Sequence, residues 1–195
     1  MSPRVGLDDA RIMQAAASIA NETGLQSVTL ATLAKQLNVR PPSLYNHVNG
    51  LPEIRNKLTL LGLQGLQAVM HEAVSKQKQP ESGAIPALAI AYAKYAIEHP
   101  GLYEATININ AREHSEEIQQ KAAELVDLVS NGLRPFLPSA DEADLIHAVR
   151  GFRSLLHGYT SLILSGGFNM AVDRDESFLY MIRAYMAGIQ RQSVL

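Results

Sequence analysis

The sequence predicts an all-α protein, and three observations carry that expectation. Apolar residues recur three and four apart in successive segments, the spacing that lines one face of a helix. Helix punctuation is explicit, with capping residues ahead of those segments and glycine, asparagine or proline behind them. No alternating strand of useful length and no internal repeat interrupts the pattern.

The elements follow in order. Ile12, Ala15, Ala16, Ile19 and Ala20 form a helical stripe after the capping candidates Asp8 and Asp9, and Gly24 supplies a stop. Thr29 is a good N-cap for a short second helix whose Leu30, Leu33, Ala34 and Leu37 share one face. Asn38 then suits a left-handed turn, since asparagine tolerates positive φ. The stretch "VRPPSLYNHV" comes next, over residues 39–48. After it Asn49-Gly50 breaks the chain, and a long helix is expected over about 51–78. The segment "KQKQPESGAIP" is the clearest local break. Four further helices are expected at about 86–98, 115–136, 141–165 and 175–190. "HPG" at 99–101 ends the first of them, Ser139 with Glu142 reads as a capping box for the third, and Gly166-Gly167 ends that one. The chain thus divides into a small N-terminal unit, residues 1–50, and a larger helical body, residues 51–195.

Two adjacent prolines inside a helix would cost about 3 kcal/mol each. With Arg40 at the N-cap, Pro41 and Pro42 instead become the first two helical residues, where the missing donors are orphans anyway. The residue before proline is driven to extended geometry, which an N-cap needs. Within this short helix Leu44 and Val48 lie on one face. Pro42, Ser43, Asn46 and His47 point away from it, with Tyr45 at its margin. So short a helix does not hold itself together, and Leu44 and Val48 must pin it to the two helices before it. Two helices joined by a tight turn, the second with a polar exposed face, make a helix-turn-helix that enters the DNA major groove. Arg40, Ser43, Tyr45, Asn46 and His47 are the expected DNA-contacting residues. Tyrosine and histidine suit phosphate oxygens; serine and asparagine can read base edges. The same spacing also fits a helical hairpin inside an ordinary α-domain.

"TLATLAKQLNVRPPSLYNHVNGLPEI" resembles the N-terminal DNA-binding domain of the tetracycline-repressor (TetR) family, with its Leu-Tyr-x-His-Val core at residues 44–48. The likeness covers roughly residues 8–60, as three helices and a connecting fourth. It implies that Thr29 caps a helix against phosphate, that Tyr45 and His47 hold the DNA backbone, and that Pro42, Ser43 and Asn46 sit at the bases. Ala31 and Leu51 are apolar at places where basic residues occur in that family. The remaining two-thirds resembles the family's ligand-binding and dimerisation body, whose last two long helices form a four-helix bundle between subunits. "RGFRSLLHGYTSLILSGGF" is similar to a subgroup with a Trp-His-Gly signature, matched here by Leu156, His157 and Gly158. The function implied is a ligand-responsive transcriptional regulator, most often a repressor released from its operator by a small molecule.

Composition bounds these readings. Of 195 residues 47% are apolar and 18% charged, as in an ordinary globular protein. Without cysteine there is no disulfide and no thiolate chemistry. The first ten residues lack a signal-peptide core and no apolar run approaches the ~20 residues of a spanning helix, so a cytoplasmic protein is expected. Net charge is −2, split as +2 up to residue 60 and −4 beyond it. A mildly basic head fits a partner that carries phosphate. It is thinly basic all the same, and an alternative follows: a helical binding or interaction protein with the family body but no operator binding. No phosphate-binding glycine loop, HExxH or nucleophile elbow occurs, so neither an enzyme nor a cofactor is expected. The six histidines are dispersed, which argues against a metal site. Tyr92, Tyr95, Tyr103, Phe152, His157 and Tyr159 are candidates to line a pocket for a small, largely apolar ligand. Aromatic core packing with one hydrogen-bonded histidine accounts for them equally well.

Overall fold

A computed structural model of the chain describes residues 7–77, 80–107 and 115–192, with side chains from 84 onward in the middle segment and up to 191 in the last. Eight α-helices and three short 3₁₀ segments make up the described residues, and no strand occurs among them. The helices are α1 (Asp9–Thr23), α2 (Leu30–Leu37), α3 (Leu51–Ser75), α4 (Pro80–Glu98), α5 (Pro100–Ala105), α6 (Glu116–Leu133), α7 (Glu142–Leu164) and α8 (Arg174–Gln192). Lys78, the expected end of the long third helix, lies outside the described residues, as does Arg4 of the basic head.

The chain forms two compact units. The first comprises residues 1–64 and 99–121, the second residues 65–98 and 122–195. In the first, α1 opens at Asp8, whose carboxylate accepts from the Arg11 backbone N–H at 2.8 Å, and closes at Gly24 with φ 91°. Thr29 caps α2 through a reciprocal box with Thr32. Asn38 ends it in the left-handed region at φ 54°. The core joins Ile12, Ala16 and Ile19 of α1 to Val28, to Leu33 and Leu37 of α2, and to Ile54 and Leu58 of α3.

Helix α5 was not legible in the chain, where "HPG" reads only as a stop. It packs on α1. Asn21 of α1 places its side-chain oxygen where the Gly101 and Leu102 N–H groups donate to it, at 3.0 and 3.1 Å. It thereby serves the orphan donors of α5 from a distant part of the chain. Gly101 is required there, because a Cβ would lie 2.1 Å from the Ala20 carbonyl carbon. Glu104 accepts from the Leu25 N–H at 3.1 Å, and the Thr59 hydroxyl donates to the Ala105 carbonyl at 3.2 Å.

In the second unit α4, α7 and α8 pack on one another. Ile85, Leu88, Ala89, Leu133, Phe152, Leu156 and Ile182 are buried. Two expectations are corrected here. The helix expected to open at Pro86 begins at Pro80 and carries Pro86 inside it. Either proline can start a helix, and the turn before Pro86 is retained because it buries Ala84 and Ile85. The capping box expected from Ser139 and Glu142 is instead made by Asp141 and Asp144. The Ala140 N–H donates to the Leu137 carbonyl, so residues 137–140 are taken up in a turn and the helix starts beyond them.

Candidate nucleic-acid interface

The segment after Asn38 is a helix, but a 3₁₀ helix, Pro41–Asn46, rather than an α-helix. Arg40 precedes it in extended geometry, φ −82° and ψ 142°, and the prolines occupy its first two positions. The reason is local. Pro41 and Pro42 have no N–H to offer, and the first donor available, on Ser43, closes a three-residue bond to the Arg40 carbonyl at 2.9 Å. The Leu44 carbonyl accepts from both the His47 and Val48 N–H groups and ends the segment.

Leu44 and Val48 are buried at 0% and 2% relative exposure. Each contributes roughly 1.5–3 kcal/mol of burial, which seats a segment too short to be stable alone. Arg40, Pro42, Asn46 and His47 are exposed, Tyr45 is 61% exposed, and Ser43 and Thr29 are half-buried. The stretch thus presents Arg40, Pro42, Tyr45, Asn46 and His47 to solvent beside two buried anchors. Lys35 on α2 and Arg55 on α3 are exposed as well. Lys57 is not comparable, since its ammonium pairs with Asp9 at 2.6 Å and with Glu53 at 2.7 Å. The Asp9 and Glu53 carboxylates raise the Lys57 pKa. The Lys57 hydrogen bond and the Asn49 N–H, at 2.7 Å, hold the Glu53 carboxyl below its ordinary value.

Tyr103 is buried in the first unit, whereas Tyr92, Tyr95, Phe152, His157 and Tyr159 belong to the second. Tyr159 stacks on Phe178 with ring centroids 4.1 Å apart and meets Phe168 at 5.4 Å. Phe152 lies 6.0 Å from the Tyr185 ring. His157 is half-buried, 3.5 Å from the Ser161 hydroxyl. The Tyr95 hydroxyl is tucked against Gly65, where a Cβ would come within 2.5 Å of it, and burial pushes its pKa up to about 12. A cleft of about 440 Å³ lies where the start of α7 meets the end of α8. Leu137, Asp144, His147, Tyr185 and Ile189 help to line it, and none of the six candidates does. Tyr185 carried no sequence signal of this role; its hydroxyl donates to the Ala148 carbonyl. Among the described residues no cluster of acidic residues and histidines could hold a metal ion, and no helix is long and apolar enough to cross a membrane.

A family profile described as "Tetracyclin repressor-like, C-terminal domain" matches residues 85–185. The HTH-type transcriptional regulator YobS of Bacillus subtilis is 43% identical over 191 residues, covering 97% of this chain and 96% of that one. The TetR family transcriptional regulator PfmR from Thermus thermophilus is 25% identical, with a TM-score of 0.61 over 96% of this chain and 97% of its own. A Rhodococcus protein of unknown function shares the fold at 18% identity, with a TM-score of 0.78 over 96% and 98% of the two chains.

Proposed function

This chain belongs to the tetracycline-repressor family, and on that premise we propose a ligand-responsive repressor that binds double-stranded operator DNA as a homodimer in the cytoplasm. Residues 1–50 form its DNA-binding domain and 51–195 its ligand-binding and dimerisation domain. One observation supports the DNA contact above all: the exposed run of Arg40, Pro42, Tyr45, Asn46 and His47, seated by the buried Leu44 and Val48. On this reading Thr29, Tyr45 and His47 meet phosphate, Arg40 supplies charge, and Pro42, Ser43 and Asn46 face the bases. Dimerisation is supported by exposed apolar side chains on α7 and α8, namely Ile146, Leu162, Leu164 and Tyr180. A Cβ on Gly158 would meet nothing within 4 Å beyond its own helix backbone, which leaves room for a close neighbour. A small, largely apolar molecule binds in the body, with Tyr92, Tyr95, Tyr103, Phe152, His157 and Tyr159 as its candidate contacts. A ligand that prefers one arrangement of the protein lowers operator affinity by linkage, by about 5- to 150-fold.

The test is a mobility-shift titration on the DNA upstream of the gene. With Lys35, Arg40 and Arg55 of each protomer, all exposed, set against phosphate, the logarithm of affinity falls against log salt with a slope of roughly −5 for a dimer. His47→Ala weakens all sequences about equally, whereas Asn46→Ala alters base preference. Absence of any salt-dependent shift defeats the proposal. A second reading, a helical binding protein without operator binding, is favoured by one feature, the pairing of Lys57 with Asp9 and Glu53. A protein that is stabilised by an apolar ligand but shifts no DNA establishes that reading instead.

A further inference from the structure

In a 3₁₀ helix residues three apart eclipse one another. The segment Pro41–Asn46 therefore has three columns: Pro41 with Leu44, Pro42 with Tyr45, and Ser43 with Asn46. Leu44 is fully buried, so its column faces the core, with Pro41 exposed at the open end. The other two columns face away from the core as separate ridges, exposed except for the half-buried Ser43. One is apolar and aromatic, Pro42 and Tyr45; the other is polar and uncharged, Ser43 and Asn46. An α-helix would have spread these residues around the surface without such ridges.

Neither ridge carries a cation, and the single one of residues 40–47, Arg40, sits in extended geometry ahead of the first turn. Guanine presents two acceptors in the major groove and calls for a fork of donors, which arginine or lysine supplies. Adenine presents one acceptor and one donor, which match the amide of asparagine; the thymine methyl takes an apolar contact. With a rise of about 2.0 Å per residue, Pro42 and Asn46 are about 8 Å apart along the axis. That is a little over two base steps of ~3.4 Å. We infer that the two ridges make this protein a reader of A·T pairs about two base steps apart at the centre of each operator half-site, Asn46 reading an adenine and Pro42 a thymine methyl. The inference rests on the DNA-binding reading above and adds the chemical identity of the bases.

The experiment is a selection of random duplexes by the full-length protein, followed by base-analogue substitution in the enriched site. The expected half-site contains A·T pairs about two base steps apart. Replacing the read adenine by 7-deazaadenine removes its N7 acceptor and weakens wild-type binding, and replacing the thymine by deoxyuridine removes its methyl. The Asn46→Ala variant is insensitive to the 7-deaza change and loses discrimination at that position by roughly 5- to 150-fold. The analogue series on wild-type protein stands whether or not the variant folds. Half-sites centred on G·C pairs, or wild-type affinity indifferent to both analogues, overturn the inference while leaving DNA binding intact. Failure to enrich any sequence defeats the DNA-binding reading itself, and this inference with it.

Discussion

Replacing Gly101 by alanine tests the docking of α5 on α1, the long-range contact that completes the first unit. The added Cβ would sit 2.1 Å from the Ala20 carbonyl carbon, 2.2 Å from its oxygen and 2.6 Å from the Asn21 nitrogen. All three are backbone atoms, so no side chain can turn aside. Restoring a carbon–carbon contact of ~3.5 Å requires the helices to part by roughly 1.4 Å. The hydrogen bonds from the Gly101 and Leu102 N–H groups to Asn21, now 3.0 and 3.1 Å, would not survive that separation. Overpacking costs about 1–3 kcal/mol and the two hydrogen bonds about 1 kcal/mol each, which totals about 3–5 kcal/mol. At roughly 2–4 °C per kcal/mol for a chain of this size, Gly101→Ala should melt about 6–20 °C below the wild type by circular dichroism. Melting curves that superimpose for Gly101→Ala and the wild type would refute the docking argument.

Leu44→Ala removes a side chain with no exposed surface, at a cost of about 2–5 kcal/mol. It should weaken binding to every DNA sequence although no polar group is changed, and unaltered binding in a shift assay would show that the segment needs no anchor. The Lys57 triad gives a pH signature of known sign. Glu53 is held below its ordinary 4.5 by Lys57 first and then by Asn49, so its contribution is present above that value and lost as pH falls through the lowered one. Lys57 is raised from 10.5 by Asp9 first and Glu53 next, so its contribution is present below that value and lost as pH rises through the raised one. Lys57→Met should lose about 1 kcal/mol or less at neutral pH and show a shallower loss of stability on acidification; an acid profile matching the wild type excludes the triad as its source. Tyr95, pushed from 10.0 to about 12 by burial, should stay protonated at pH 11 in an ultraviolet titration, with its stabilisation lost as pH rises from 10 towards 12. Comparing Tyr95→Phe with the wild type assigns the delayed absorbance step, and an unchanged titration curve counts against its burial.

Features set by a residue's immediate neighbours were readable from the chain alone. The stripe Ile12, Ala16 and Ile19, the Thr29 cap, the left-handed Asn38 and the breaks at Gly24 and Gly166 all appear as expected, because caps and periodicity act within a few residues. The exposure of Pro42, Asn46 and His47 was legible for the same reason, once Leu44 and Val48 were assigned to the core; Ser43, expected to point away with them, is half-buried, and Tyr45, expected at the margin, is 61% exposed. Tertiary structure decided what depends on distant partners. It chose Pro80 over Pro86 as the start of α4, because only burial of Ala84 and Ile85 separates two equally good helix openers. It moved the α7 cap to Asp141, since a turn from Leu137 consumed the local signal at Ser139. It made a helix of the residues after His99, whose donors are met by Asn21, some eighty positions earlier. It distributed the aromatic residues of the body between two units and assembled a cleft from residues around Asp144 and Tyr185. A hydrophobic stripe specifies that a face is buried, but its partner is chosen by packing across the whole fold, and packing has no period along the chain.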